Sequence, residues 1–232
     1  CALPIFPPEV IRTANLKKGL VLVTGAAGSG KSTTLACIID EINRTRNSHI
    51  ITLEDPIEYL HRHNRSVVTQ REIGLDTDSY VNGLVASLRQ APDVILLGEM
   101  RDFDTIKTAM TAAETGHLVI STLHTIGSAN SIDRIIDVFP PDGQQQIRVQ
   151  LAMVLQAVIS QQLVPTVTGS MVPAFEIMFL NDAIRTMVRE GKIHQIDNVI
   201  ATSMAEGMIS MNNSLLRLMR EGKISRDTCI SY

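Results

Sequence analysis

The chain has 232 residues, of which 44% are hydrophobic and only 3% aromatic, with no Trp and a formal net charge of −3. That length suits one large α/β domain or a domain with a helical appendage, and its core must be aliphatic with Met as filler. Slight acidity, no long basic run and few aromatics argue against nucleic-acid binding through a basic face or a stacking platform, and no apolar run approaches the roughly 18 residues of a membrane span.

Cys1 to Pro8 reads as an irregular, Pro-rich lead, and residues 1–16 are expected to be a linker remnant or an artefactual end. Cys1, Cys37 and Cys229 lie far apart and form no C-x-x-C pair, so neither a disulfide framework nor a zinc cluster is expected. Without a signal peptide, a reducing cytosol is the expected compartment.

Gly19-Leu20-Val21-Leu22-Val23-Thr24 is an apolar, β-branched run that reads as a buried parallel strand. It leads into Gly25-Ala26-Ala27-Gly28-Ser29-Gly30-Lys31-Ser32, which fits the phosphate-binding pattern G-x-x-x-x-G-K-[ST]. Glycines let the backbone turn so that successive N–H groups face phosphate oxygens. Residues Thr33 to Arg46 carry Leu35, Ile38, Ile39 and Ile42 at helical spacing, so the loop opens a helix whose N-terminus favours anions. The expected nucleotide contacts run from Gly25 to Thr33, with Lys31 on the β- and γ-phosphates and Ser32 on Mg²⁺.

Strand and helix then alternate. His49 to Glu54 and Ser66 to Gln70 are strand candidates; Asp78 to Ala91 reads as a helix with Val81, Leu84, Val85 and Leu88 on its apolar face. Asp93 to Gly98 is a buried strand, Asp102 an N-cap for a helix ending at Gly116, and His117 to Leu123 another buried strand. Such alternation implies a parallel sheet with right-handed crossovers. Two helices are expected next, Ser128–Val138 and Gly143–Val164, then a hairpin over Pro165 to Leu180 turning at Thr168-Gly169-Ser170, then fifty helical residues. Arg189-Glu190-Gly191-Lys192-Ile193 recurs as Arg220-Glu221-Gly222-Lys223-Ile224; either a repeat unit or two Gly-capped amphipathic helices accounts for it.

Three segments offer chemistry at strand ends, where open α/β sheets bind ligands. Glu54, Asp55 and Glu58 crowd into five residues and would repel each other unless a cation or solvent intervenes; the alternative is a solvated turn begun by Asp55-Pro56. Glu99 ends the apolar strand as a Walker B acid would, or is an ordinary strand-end acid paired with Arg101. Thr122 and His124 share a face at the end of their strand, where His124 either reports the γ-phosphate or is a structural hydrogen-bonder. His61-Arg62-His63 has the look of a metal pair, but no other ligands cluster nearby, and no metal cluster is expected.

Together these segments resemble the secretion ATPase superfamily, in particular the PilT-type retraction ATPases of type IV pili. The resemblance runs from about Lys17 to Arg226 and rests on four parts: the Walker A run Gly25–Ser32, an Asp box over Ile51–Tyr59, a Walker B region over Asp93–Asp102 and a His box over Gly116–Thr125. Assembly motors of the family usually carry a four-cysteine zinc motif, absent here. Retraction motors carry Ala-Ile-Arg-Asn-Leu-Ile-Arg-Glu; the chain has Ala183-Ile184-Arg185-Thr186-Met187-Val188-Arg189-Glu190, departing at Thr186, Met187 and Val188.

The resemblance implies a RecA-like P-loop NTPase core with a mostly parallel sheet over residues 17–180, followed by a C-terminal helical subdomain over 181–232. It implies ATP and Mg²⁺ as cofactors, with Ser32 and Glu99 around the metal. Glu58 would orient or deprotonate the attacking water, Glu99 would share that role, and His124 would sense the γ-phosphate. It further implies a cytoplasmic homohexamer, peripheral to the inner membrane, that withdraws pilin subunits at a platform protein. In such rings an N-terminal PAS-like domain and its linker supply arginines to the ATP site, and arginine fingers contribute roughly 10³–10⁵ in rate; without them the chain as given is expected to be a slow ATPase and a poor hexamer. The other classes to separate are a non-catalytic nucleotide-binding accessory subunit and a hexameric DNA motor.

Overall fold

The computed structural model describes residues 6–232, so the start of the Pro-rich lead, Cys1 to Ile5, lies outside the described residues. Seven strands form one sheet: β1 (Gly19–Thr24), β2 (His49–Glu54), β3 (Val67–Glu72), β4 (Val94–Leu97), β5 (Leu118–Leu123), β6 (Leu155–Pro165) and β7 (Met171–Phe179). Their order is β3-β2-β4-β5-β1-β6-β7. Every pairing is parallel except β6 with β7, which run antiparallel as a hairpin. The expected α/β class with a mostly parallel sheet is therefore what the chain adopts.

Continuous apolar strands form because the sheet is covered on both faces. Along β1, Leu20 and Leu22 point into one core while Val21 and Val23 point into the other. The second core is closed by α1 (Pro8–Arg12) and α2 (Lys31–Thr45), whose Leu35, Ile38, Ile39 and Ile42 are all buried there. The first core is closed by α3 (Tyr80–Leu88), α4 (Phe103–Glu114), α5 (Ser128–Asp137) and α6 (Gln144–Val154), together with α7 (Asp182–Glu190) and α8 (Ile196–Thr202). The last two helices are α9 (Met211–Arg220), packed against β7, and α10 (Arg226–Ser231). No helix among the described residues is long and apolar enough to cross a membrane.

Within residues 6–16, Val10 and Ala14 are buried, and the Arg12 guanidinium lies 4.4 Å from the Phe179 ring centroid and donates to Glu206 O at 2.9 Å. Other expectations are corrected. The helix expected over Gly143–Val164 ends at Val154, and Leu155 opens β6. No Gly or Pro marks that change; it is imposed by two neighbours, because β6 fills the slot between β1 and β7 and completes both ladders. The hairpin turn lies where expected, with Thr166 N–H donating to Ser170 O at 2.8 Å, but its first strand is the longer β6. On α3, Leu84 is buried while Val85 is exposed, so the inward face runs through Tyr80, Leu84 and Leu88. Cys37, buried on α2, is not a free thiol, whereas Cys229 is.

The Asp102 N-cap is present, its Oδ1 accepting Thr105 N–H at 2.9 Å. The five-residue repeat is one helix ending used twice. Lys192 N–H donates to Met187 O at 2.9 Å and Lys223 N–H to Leu218 O at 3.0 Å, the six-to-one bond of a Schellman motif, with Gly191 at φ +73° and Gly222 at φ +70°. Lys192–Glu190 and Lys223–Glu221 pair at 2.7 Å in both copies.

Candidate functional site

All the parallel strands point their carboxyl ends to one edge, and the cleft of about 440 Å³ that opens there is lined by the glycine loop, the acidic loop after β2, Glu99 and the end of β5. The glycine loop joins β1 to α2. Gly25 sits at φ +146° and Gly30 at φ +89°, and a Cβ on Gly25 would lie 2.3 Å from Gln161 O, so glycine is required at Gly25 by close approach as well as by conformation. Lys31 is buried, and its Nζ donates to Gly25 O and Ala26 O, both at 2.9 Å. Burial holds the Lys31 pKa below the usual lysine range, opposed by the charges of Glu99 and Glu58. Ser29 Oγ is buried in the loop with no hydrogen-bond partner among the described residues.

The acidic loop faces this cradle. Ser32 Oγ donates to Glu58 Oε1 at 2.8 Å, and Thr33 Oγ1 lies 2.9 Å from Tyr59 OH. Two side chains of β3 shape that loop. Glu72 Oε2 accepts Ile57 N–H at 3.0 Å; Gln70 donates to Tyr59 O at 2.8 Å and accepts from His61 N–H at 2.8 Å. Glu58 is thus bracketed by backbone held on both sides. Of the three crowded carboxylates, Glu54 is engaged within the sheet, accepting from Thr52 Oγ1 at 2.6 Å and from Gln70 at 3.2 Å. Asp55 is exposed at the rim and Glu58 alone meets the glycine-loop helix. His61 also lines the cleft, while His63 Nδ1 accepts Val68 N–H at 3.0 Å in a structural role.

Glu99 follows β4. Its Oε2 pairs with Arg101 Nε at 2.5 Å and lies 3.4 Å from His124 Nε2, so the pairing with Arg101 and the position beside the glycine loop are both realised. Thr122 Oγ1 donates to Gly98 O at 2.6 Å, tying the end of β5 to the turn that carries Glu99. Tyr80 reaches the same place from α3; burial, then Glu99, push its phenol above the usual range, so it remains a neutral hydroxyl beside the acids. The cleft therefore presents a backbone anion cradle, the cations of Lys31 and Arg101, and hydroxyl and carboxylate oxygens. That donor set fits a nucleotide phosphate chain with a hard, oxygen-seeking divalent cation.

Gln161 was not anticipated. It lies on β6, is 1% exposed, and its amide bonds Ser29 O and Thr34 Oγ1. The signal that could have found it is a strand reading of 155–165, which sets Gln161 beside the loop that β1 feeds.

The sequence pattern of the Type II/IV secretion system protein family matches residues 6–219. The chain is 51% identical over 215 residues to the twitching motility protein of Neisseria gonorrhoeae, covering 92% of this chain and 58% of that one. It is 48% identical over 216 residues to the type IV pilus retractation ATPase PilT of Pseudomonas aeruginosa, covering 93% of this chain and 63% of that one. The crystal structure of the pilus retraction motor PilT with bound ADP superposes with a TM-score of 0.90 at 47% identity, covering 97% of this chain and 64% of that chain. The chain spans about three fifths of the length of these relatives. With a matching pattern over most of its length and a matching fold, the chain belongs to the Type II/IV secretion system protein family.

Proposed function

We propose that this chain is the ATP-hydrolysing core of a type IV pilus retraction motor. The observation that carries hydrolysis is the 2.8 Å contact between Ser32 and Glu58 across the cleft, because it brings a carboxylate on a braced loop to the hydroxyl beside the phosphate cradle. Pilus retraction is taken from the named relatives, twitching motility protein and PilT.

In this reading the backbone N–H groups from Gly25 to Thr33 bind the phosphates, and Lys31 leaves the loop carbonyls to neutralise the β- and γ-phosphates. Ser32 and Glu99 are the oxygen donors that would hold Mg²⁺, and with it the site would gain positive charge against the phosphate chain. Once the Ser32 hydroxyl is engaged elsewhere, Glu58 is free to orient the attacking water and take its proton. Arg101 shields Glu99 before nucleotide arrives. His124, on the Glu99 side of the cleft, donates to the γ-phosphate and couples its loss to domain movement. Residues 17–180 serve as the ATPase core and 181–232 as its helical subdomain. A homohexameric ring, an inner-membrane platform and pilin complete the proposed assembly.

Phosphate release at saturating Mg-ATP tests the assignment. Glu58→Ala is expected to lower turnover by ~10²–10⁴-fold with ATP affinity near native, as loss of a general base does. Glu99→Ala is expected chiefly to raise the Mg²⁺ concentration needed. If Glu58→Ala turns over normally and Glu99→Ala is dead, the two roles are exchanged. In cells, deletion is expected to give excess pili and lost twitching; normal twitching would sink the retraction assignment.

A further inference from the structure

We propose that Gln161 is a positioning residue for the phosphate loop: its buried amide holds the loop and the first turn of α2 in one geometry and thereby sets nucleotide affinity. The proposal rests on reading the cleft as a nucleotide site.

The register of the sheet delivers Gln161 to this point. Thr24, the last residue of β1, pairs with Ser160 of β6, so the next residue of β6 stands level with the start of the loop. Gln161 is 1% exposed, and its side chain bonds the loop at Ser29 and the first turn of α2 at Thr34. Its Nε2 donates to Ser29 O, and its Oε1 accepts from Thr34 Oγ1 at 2.6 Å. Its backbone oxygen excludes any side chain at Gly25, and its Nε2 would lie 3.1 Å from a Cβ on Gly30. Thr34 Oγ1 also lies 3.3 Å from Gly30 O; with one proton to give, the hydroxyl serves the shorter contact.

The chemistry is selective. A carboxamide carries a donor and an acceptor on one carbon, and here the donor meets a carbonyl while the acceptor meets a hydroxyl. Asn has the same head one methylene short. A Leu of similar size would leave Ser29 O buried without its partner, which costs the full desolvation of that group. The brace matters most when phosphate binds. Lys31 fastens the first half of the loop through Gly25 O and Ala26 O, while Gln161 fastens the second half at Ser29. Recruitment of Lys31 to phosphate releases the first half, leaving Gln161 as the brace from the sheet that keeps the loop N–H groups converged.

The test compares native chain, Gln161→Leu and Gln161→Glu for binding of Mg-ADP by calorimetry, each at about pH 8 and about pH 5.5. Gln161→Leu is expected to bind roughly ten- to a hundredfold more weakly at both, as follows when the unbraced loop holds its binding geometry only about a tenth to a hundredth of the time. Gln161→Glu carries the sharper reading. Protonated, the introduced carboxyl has the amide's donor and acceptor; ionised, it opposes Ser29 O. Burial beside a carbonyl raises the pKa of that carboxyl, so binding is intact below it and lost as pH rises through it. Its affinity relative to native should therefore recover from about pH 8 to about pH 5.5. A role in packing alone gives no such recovery. Gln161→Leu within about twofold of native, or a Gln161→Glu ratio independent of pH, overturns the proposal. If Gln161→Leu shows no cooperative melt, Gln161→Glu carries the test by itself. Hydrogen exchange without nucleotide separates the two claims. Faster exchange of the amides from Ala26 to Thr34 in either variant, with the rest of the sheet unchanged, supports the brace, and unchanged exchange overturns it. Failure of the native chain to bind Mg-ADP would instead remove the nucleotide reading.

Discussion

Lys31 meets its own loop before it meets any phosphate: its ammonium donates to Gly25 O and Ala26 O. Those two bonds cap Gly25 O, add a second donor to Ala26 O, which also accepts Ser29 N–H at 3.2 Å, and keep a buried cation satisfied. A phosphate chain must therefore offer Lys31 more than two neutral acceptors, which a charge-assisted bond to a phosphate oxygen does. Lys31→Ala is expected to lose nucleotide binding and to lower turnover by ~10²-fold or more, the scale of removing a preorganised charge from a site. Calorimetric titration with Mg-ADP reads the first and phosphate release the second; native-like affinity would show that Lys31 never leaves its carbonyls. At this scale much of the site was legible. A Lys after Gly30, carboxylates at strand ends and a His beyond β5 are residue types tied to particular chemistry. Gln161 and Gln70 were not legible, because a glutamine's meaning depends on which two groups its amide meets, and both pairs of groups are distant in the chain.

β3 and β6 show how an element can be named correctly, or wrongly, for reasons outside itself. A strand was expected over 66–70, and β3 forms at 67–72, but its importance lies in Gln70 and Glu72, which hold the backbone on either side of Glu58. Such a brace acts through geometry, so Gln70→Ala is expected to lower kcat by roughly 10-fold to 10²-fold, as a displacement of about 1 Å does, while Mg-ADP affinity stays native. Equal losses in both would make Gln70 a fold residue. β6 was read as the end of a helix because its apolar spacing fits either period and no Gly or Pro punctuates it. Its identity is settled by β1 and β7, neighbours that local pattern does not contain. Helix endings are the opposite case, being local, and the repeated Glu-Gly-Lys ending was legible. At Gly222, φ is +70° and an added Cβ meets nothing within 4 Å, so Gly222→Ala tests backbone strain alone. It is expected to cost ~1–2 kcal/mol and lower the melting temperature by about 2–8 °C with turnover unchanged, measured by thermal melt and phosphate release.

The cleft belongs to the whole molecule because no single element builds it: β1, β2, β4 and β5 each lead into residues that line it at the same edge of the sheet, and β6 braces its loop through Gln161. The two apolar cores that cover the sheet keep those strand ends in register, so a ligand that contacts several of them at once is linked to the integrity of the entire sheet. Anything that binds only the folded cleft stabilises it by mass action, about 2.7 kcal/mol at a hundredfold excess over the dissociation constant. For a chain of 232 residues, each kcal/mol is worth about 2–4 °C. Mg-ADP at that excess is thus expected to raise the melting temperature by about 5–10 °C, and to do so with a single transition, because the strands that end at the site also run through both cores. Lys31→Ala, which removes the bond that caps Gly25 O, should melt a few degrees below the native protein without ligand and show no rise with it. Two transitions, with only the lower one moved by Mg-ADP, would mean that the cleft and the C-terminal helices unfold separately. The sheet would then not be the element that carries nucleotide occupancy to the rest of the chain.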